Sequence, residues 1–245
     1  MVRAILQGAI VVFLYFLGAL VVGAALAPAL LFFFKLFYMT ADWTSVPRAL
    51  MLGFGIASGF FIFGLTLMFL VGFLNMALHL RLKEGAFGFK DGEMFKWFFL
   101  NALVQAVKAF FMDFMLLTPF ANLFYRMMGA RLGMNVQINS RNVADLSLLE
   151  VGENTVIGGN ATVICHLFER KGLKLKKVKI GANVIVGLNS VIMPGVEIGD
   201  QSIVAPGVIV PKNTIIPPRT VFSGVERHPP VDKHPAAGPD SEGGQ

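Results

Sequence analysis

A single cysteine in 245 residues, Cys165, excludes an internal disulfide and fits a reducing compartment. Charge is scarce as well: Asp, Glu, Lys and Arg together make up 15% of the chain, well under the quarter usual in soluble proteins. Three tyrosines and two tryptophans stand against 24 phenylalanines, so the aromatic content is almost wholly apolar. With 55% hydrophobic residues and a mean hydropathy of +0.67, this composition excludes an ordinary water-soluble globule. Of the four histidines, His79, His228 and His234 lie near or beyond the edges of the ordered pattern, leaving His166 inside it. Zinc held by several converging His ligands is therefore not expected, and no metal is predicted. A Gly-rich phosphate loop and a Ser nucleophile elbow are also missing. The net charge of +6 is modest, and six basic residues are concentrated between Arg170 and Lys179. Lacking a broad basic surface with stacking aromatics, the chain is not expected to bind nucleic acid; anionic lipid or a phosphorylated ligand suits it better.

What the chain does contain begins with two long uncharged runs. Ala4–Phe34 holds 31 residues without a charge, more than the roughly 20 that cross a bilayer. The ALAPA stretch at Ala25–Ala29 imitates a signal-peptide cleavage site, but a signal peptide has an apolar core of only about 7–15 residues. A polar link, Lys35–Arg48, carries Tyr38 and Trp43, which suit a membrane interface. The second run, Ala49–Leu80, has Gly53, Gly55, Gly59 and Gly64 spaced to let another helix approach. Residues 1–90 thus read as a transmembrane helical hairpin. Arg81, Lys83, Lys90 and Lys96, set against Lys35 and Arg48 in the link, place both termini on the cytoplasmic side of an inner membrane. Residues 91–128 read as an amphipathic interfacial helix, with Asn101, Gln105 and Lys108 on one face and Phe98, Phe99, Val107 and Phe110 opposite. A third crossing is the alternative there, and Pro119 is expected to end or kink the helix.

Ile180–Val221 then divides into seven hexads: IGANVI, VGLNSV, IMPGVE, IGDQSI, VAPGVI, VPKNTI and IPPRTV. Every first position is Ile or Val, every fifth is Val, Ser or Thr, and four second positions are Gly or Ala. A period of six is neither helical nor simple strand alternation; it marks an internal repeat of short strands and turns, three to a coil. The first-position side chain should fill the shaft, with Gly and Asn at the corners. This pattern resembles the hexapeptide-repeat acyltransferases, whose fold is a left-handed parallel β-helix. The run YRMMGARLGMNV onward also resembles carboxy-terminal membrane modules of certain nonribosomal peptide synthetases, a likeness covering Phe95–Pro217. Regular hexads begin at Val151, Val163–Phe168 departs from them, and HLFERKGLKLKKVK interrupts the register before Ile180. The β-helix is assigned to 129–224 and a disordered tail to 225–245, which is rich in Pro and Gly.

Acyl transfer from a thioester needs a base for the attacking hydroxyl or amine and donors for the oxyanion. Imidazole suits the first task, and in the resembling family a His at an extruded loop performs it; His166 matches. Glu169 and Asp145, one coil back, are candidates to orient it, and Asn142 or Asn139 to assist acceptor or oxyanion. Cys165, its neighbour on a strand, should point inward. The resemblance implies a coenzyme A thioester as donor, lying along the coils at Gly187, Asn189, Ser190, Ala205 and Gly207, with Lys212 and Arg219 near its phosphates. The family's Gly-x-Pro-Ala ending is replaced here by FSGVERHPP from Phe222. The basic loop (Arg170, Lys171, Lys174, Lys176, Lys177, Lys179) either gathers an anionic acceptor or lipid headgroup, or is a solvated hairpin whose Leu173 and Leu175 cover the shaft. The expected protein is an integral-membrane acyltransferase acting on a membrane-proximal, lipid-linked acceptor, as a homo-oligomer with the trimer favoured by the resemblance. A non-catalytic membrane scaffold is the second reading.

Overall fold

The computed structural model describes residues 2–224 except 89 and 171; the expected disordered tail lies outside them. Two long helices, Val2–Met39 and Ser45–Ala77, pack side by side and are joined by a short turn. Small residues set their separation: Ala25 is fully buried, and a Cβ on Gly59 would lie 3.8 Å from that of Ala29. A Cβ on Gly53 would meet nothing within 4 Å, while Gly64 and Gly72 receive Phe111 and Met127 from later helices. The hairpin is therefore one part of a larger helical cluster. Its outer surface exposes Phe13, Leu31, Leu50, Phe54 and Phe73. Among the described residues, three segments are long and apolar enough to cross a membrane: Tyr15–Met39, Ser45–Ala77 and Gly92–Met115.

The third helix, Gly92–Val107, continues through a π-helical turn (Lys108–Met112) and a last α turn (Asp113–Met115). The break falls at Leu116–Thr118, with Leu117 at φ 62°. Pro119 does not kink that helix; it opens the next one, Pro119–Met127, at a first-turn position where its missing N–H costs nothing. Tyr125 of this short helix is fully buried, and its hydroxyl donates to the Ser140 carbonyl at 3.4 Å. Asn122 Nδ2 reaches the Val136 carbonyl at 2.8 Å, fastening the helices to the first coil.

The repeat domain is a parallel β-helix of three sheets. Reading outward from the first coil, one sheet stacks Arg131–Leu132, Leu149–Val151, Val178–Ile180, Glu197–Ile198 and Ile215–Ile216. The second stacks Gln137–Ile138, Val156–Ile157, Ile185–Val186, Ile203–Val204 and Val221–Phe222. The third stacks Thr162–Val163, Val191–Ile192 and Ile209–Val210, preceded by a bridge at Val143. Coiling thus starts at Arg131, about one coil before the hexads become regular at Val151. Ile180, Val186, Ile192, Ile198, Val204, Val210 and Ile216, the seven first positions, are all buried, each contributing roughly 1.5–3 kcal/mol by removal from water.

The corners explain the remaining hexad letters. All seven fourth positions (Asn183, Asn189, Gly195, Gln201, Gly207, Asn213 and Arg219) have positive φ, a region that favours Gly and Asn. Gly187 at a second position answers a different need: its φ is not positive, but a Cβ there would come 2.5 Å from the Pro206 nitrogen of the next coil.

The interruption is a β-hairpin, His166–Glu169 antiparallel to Gly172–Leu175. A third strand, Gly85–Phe87, joins it from the helical side, pairing Phe87 with Leu173 and Gly85 with Leu175. Leu173 and Leu175 are buried, as the shaft-covering alternative requires. Its cations are largely engaged: Lys177 with Glu150 (3.2 Å), Lys179 with Glu197 (2.9 Å) and Lys176 with Asn213 (2.7 Å).

Candidate active site

The hairpin leaves the β-helix at the corner between the third and first sheets, and His166 is its first strand residue. One coil earlier on that corner, Asp145 sits in the left-handed region (φ 54°, ψ 46°) before a 3-10 turn, Leu146–Leu148. Such backbone is tolerated by Asp better than by most residues, and its side chain caps nothing in the turn. The carboxylate goes elsewhere. Oδ2 lies 2.6 Å from His166 Nδ1 and accepts the Cys165 backbone N–H at 3.0 Å; Oδ1 accepts Trp97 Nε1–H at 2.7 Å.

Three donors around one carboxylate, only 3% exposed, fix its orientation. Because a carboxylate only accepts, His166 Nδ1 carries the proton in this pair, and Nε2 is left as the basic nitrogen. The ring is further held by Trp97 (centroids 4.9 Å apart), with Phe168 beside Trp97 at 5.4 Å. His166 retains 23% exposure and opens onto a cleft of about 790 Å³.

That cleft lies between the β-helix and the third helix. Thr162, Ile164, Arg141 and Asn142 form one side; Asn101, Gln105 and Lys108 form the other. The shared polar face of these three helix residues was legible in their spacing, but it is turned to the cleft rather than to lipid headgroups. This is a correction with a simple cause: a polar helix face seeks any polar surface, and the coil edge supplies one. Val107, expected on the apolar side away from it, is fully buried, while Phe98 and Phe110 are exposed. Trp97 had no sequence signal, since its role depends on a contact 48 residues away.

The other predicted site residues divide. Asn142 lines the cleft and donates to Asn160 Oδ1 at 3.3 Å, whereas Asn139 is exposed and outside it. Glu169 does not orient the imidazole. It stands exposed at the hairpin tip, 2.7 Å from Lys212 and 3.9 Å from Lys174, and these cations hold its carboxyl below the usual range. Cys165 is fully buried, its thiol against the Leu148 carbonyl at 3.6 Å, and burial pushes its pKa well up, the opposite of what a nucleophilic thiolate requires.

Gly187, Asn189, Ala205 and Gly207 occupy one corner on successive coils, that between the second and third sheets. Ser190 is withdrawn from any ligand: it is completely buried and its hydroxyl donates to the Gly187 carbonyl at 2.7 Å. Lys212 is on the hairpin corner and Arg219 on the third, where its Nε donates to Gln201 Oε1 at 2.9 Å. Within one chain the seven therefore do not converge. A second groove, about 660 Å³, follows the first sheet's outer face, where Arg131–Glu150 (3.1 Å) and Lys179–Glu197 pair along the strands; neither His166 nor Asp145 lines it. Among the described residues, no group of three or more His, Cys, Asp and Glu is placed to hold a metal ion.

Residues 177–212 match the family model for the hexapeptide repeat of succinyl-transferase. The inferred acetyltransferase YvoF of Bacillus subtilis (strain 168) is 44% identical over 52 residues, 21% of this chain and 30% of its own length. Delta-poly-L-ornithine synthetase of Acinetobacter baumannii (strain AB307-0294) is 24% identical over 90 residues, 37% of this chain and 7% of its own length. The chain thus spans less than a third of either relative. Among solved structures, a hexapeptide-repeat-containing acetyltransferase from Vibrio cholerae aligns with 41% of this chain and 61% of its own, at 27% identity and a TM-score of 0.37.

Proposed function

We propose that this chain, whose residues 177–212 match the hexapeptide repeat of succinyl-transferase, is an acyltransferase working at a membrane surface. The observation that carries the reading is the imidazole of His166, held by Asp145 at the edge of a cleft formed jointly with the third helix. In this reading His166 Nε2 takes the proton from an acceptor hydroxyl or amine as its oxygen or nitrogen attacks the thioester carbonyl. The tetrahedral intermediate collapses, its C–S bond breaks, and the imidazolium returns the proton to the leaving thiolate. Asp145 holds the tautomer and stabilises the imidazolium between those two steps. Asn142, in the same cleft, serves the acceptor or the oxyanion.

The donor is a coenzyme A thioester, lying along the Gly187–Gly207 corner. The coil is left-handed in this reading, and because that corner and the His166 corner are separate within one chain, the donor site is completed between the subunits of a trimer. The first two helices cross the bilayer, six in a trimer, and the basic residues around Arg81–Lys96 keep the β-helix on the cytosolic side. A relative named for synthesis of poly-L-ornithine supports an aminoacyl variant, in which the acceptor is an amine and the product an amide.

The test is transfer of radiolabelled acetyl from acetyl-coenzyme A to a total lipid extract by the full chain in nanodiscs. Replacing His166 with Ala should reduce transfer about 10²–10⁴-fold, the usual worth of a general base, with the assembly size unchanged. Equal transfer by wild type and His166→Ala would remove this mechanism.

A further inference from the structure

Of the two cations that line the cleft, Arg141 and Lys108, neither is used by the acid–base chemistry. Lys108 opens the π-helical turn of the third helix, and its ammonium has no carboxylate partner within 4 Å among the described residues. The neighbouring charges are accounted for. Arg141 pairs with Asp113 at 2.8 Å, both more than half exposed, and the Asp145 carboxylate is occupied by its three donors. The π turn is itself informative. In a regular α-helix Phe111 and Met112 would fall on Lys108's own face, three and four residues on. The wider turn rotates Phe111 away from Lys108, and Phe111 is buried against Gly64 of the second helix while Lys108 lines the cleft. A half-buried ammonium with no carboxylate within 4 Å is a group that an anion entering the cleft would stabilise.

Resting on the acyltransferase reading above, we infer that Lys108 is a specificity residue that binds a carboxylate or phosphate carried beside the reacting centre. The donor's own phosphates do not fit this role. The pantetheine arm keeps them far from the thioester, and the thioester must reach His166, which shares the cleft with Lys108. Two sources remain for the anion: the far end of a dicarboxylic acyl group, or an acid group on the acceptor next to its nucleophile. Gln105 and Asn101, one and two turns earlier on the same face, supply further polar groups for it.

Two measurements on the full chain in nanodiscs separate these sources. In the first, succinyl-coenzyme A and acetyl-coenzyme A are titrated onto His166→Ala protein, with Lys108 intact or replaced by Met. A dicarboxylic acyl source predicts tighter binding of succinyl-coenzyme A, lost about tenfold with Lys108→Met, while acetyl-coenzyme A binding is unchanged. In the second, acetyl transfer is measured to lipid extract split by anion exchange into acidic and neutral fractions. An acceptor source predicts that the acidic fraction is preferred and that Lys108→Met raises its apparent KM about tenfold, ~1.4 kcal/mol, with the donor KM unchanged. Lys108→Arg should restore either effect and, by eluting at the wild-type size, excludes misfolding. Changes within twofold in both measurements would overturn the assignment. A Lys108 effect that persists while transfer proves independent of His166 would instead remove the general-base reading and leave the anion site standing.

Discussion

Replacing Asp145 with Asn isolates the carboxylate from its surroundings, because the side chain keeps its shape and the three donors stay in place. The amide has one oxygen for two positions. If that oxygen takes the place of Oδ2, the Cys165 N–H and His166 Nδ1–H are still accepted, but the amide NH₂ faces Trp97 Nε1–H. One buried indole N–H is then unsatisfied, at about 1–3 kcal/mol of stability. If the amide flips, Trp97 is satisfied, but NH₂ faces both other donors, and the imidazole must expose a protonated Nε2 that cannot act as a base. Either way the imidazolium loses its anionic partner. A hydrogen bond to a charged group is worth about 1–2 kcal/mol more than a neutral one, which corresponds to roughly 5–30-fold in rate; the wrong tautomer adds to this. Turnover of acetyl-coenzyme A at saturating donor and acceptor should therefore fall at least tenfold in Asp145→Asn, with a lower midpoint of heat inactivation. Trp97→Phe is the control: it removes the Oδ1 donor and part of the ring packed on His166 but keeps the carboxylate, so it should lower stability by about 1–3 kcal/mol with a smaller loss of turnover than Asp145→Asn. An Asp145→Asn protein with turnover within threefold of wild type would refute the role of the pair.

Three other substitutions test the scaffold. Cys165→Ala should keep wild-type turnover, and N-ethylmaleimide at neutral pH should label native Cys165 far more slowly than the denatured chain, since the thiol is buried and its pKa raised. Ile192→Ala empties a fully buried shaft position and should cost about 2–5 kcal/mol, read as a lower midpoint of loss of native assembly. Gly172→Ala should detach the strand Gly85–Phe87 from the hairpin, because φ is +135° and a Cβ there would collide with the Phe87 carbonyl; limited proteolysis should then cut near Phe87 faster than in wild type.

The β-helix was legible almost letter by letter, because each coil repeats one local demand: a β-branched residue for the shaft and a left-handed corner at the fourth position. Even Arg219, which no turn preference would select, takes φ 58° because the register requires it. The first coil was less legible, since Arg131–Leu148 meets the same sheets without the letter pattern and is held partly by the short helix through Asn122 and Tyr125. His166 stood out as the lone histidine in the repeat, with Asp145, one coil back, and Glu169 as unranked candidates to orient it. Glu169, nearer in sequence, was the weaker choice for a physical reason: three residues along a strand carry a side chain about 10 Å from His166, whereas one coil step returns the chain to the same corner. The residues missed were those whose position depends on how two unlike parts dock. No local pattern tells a polar helix face whether it will meet water, headgroups or a coil edge.

That docking gives the third helix two obligations that its sequence meets separately. On the cleft side, Trp97 bonds the carboxylate that orients His166, and Asn101, Gln105 and Lys108 complete the wall. On the other side, Phe111 fits against Gly64 and meets Phe60 and Phe61 at 5.5 and 5.9 Å, all on the second helix. The strand Gly85–Phe87 and Glu84, whose carboxylate accepts the Lys177 N–H at 2.9 Å, fasten the same segment to the far side of the hairpin. The hairpin that carries His166 is thus gripped on its strand edge and at its imidazole by the chain that leads out of the apolar helices. An isolated β-helix would supply the histidine and Asp145 but not the indole, the ammonium or the third strand. The helical part therefore does more than precede the repeat domain: its third helix, packed on the second, builds one wall of the cleft.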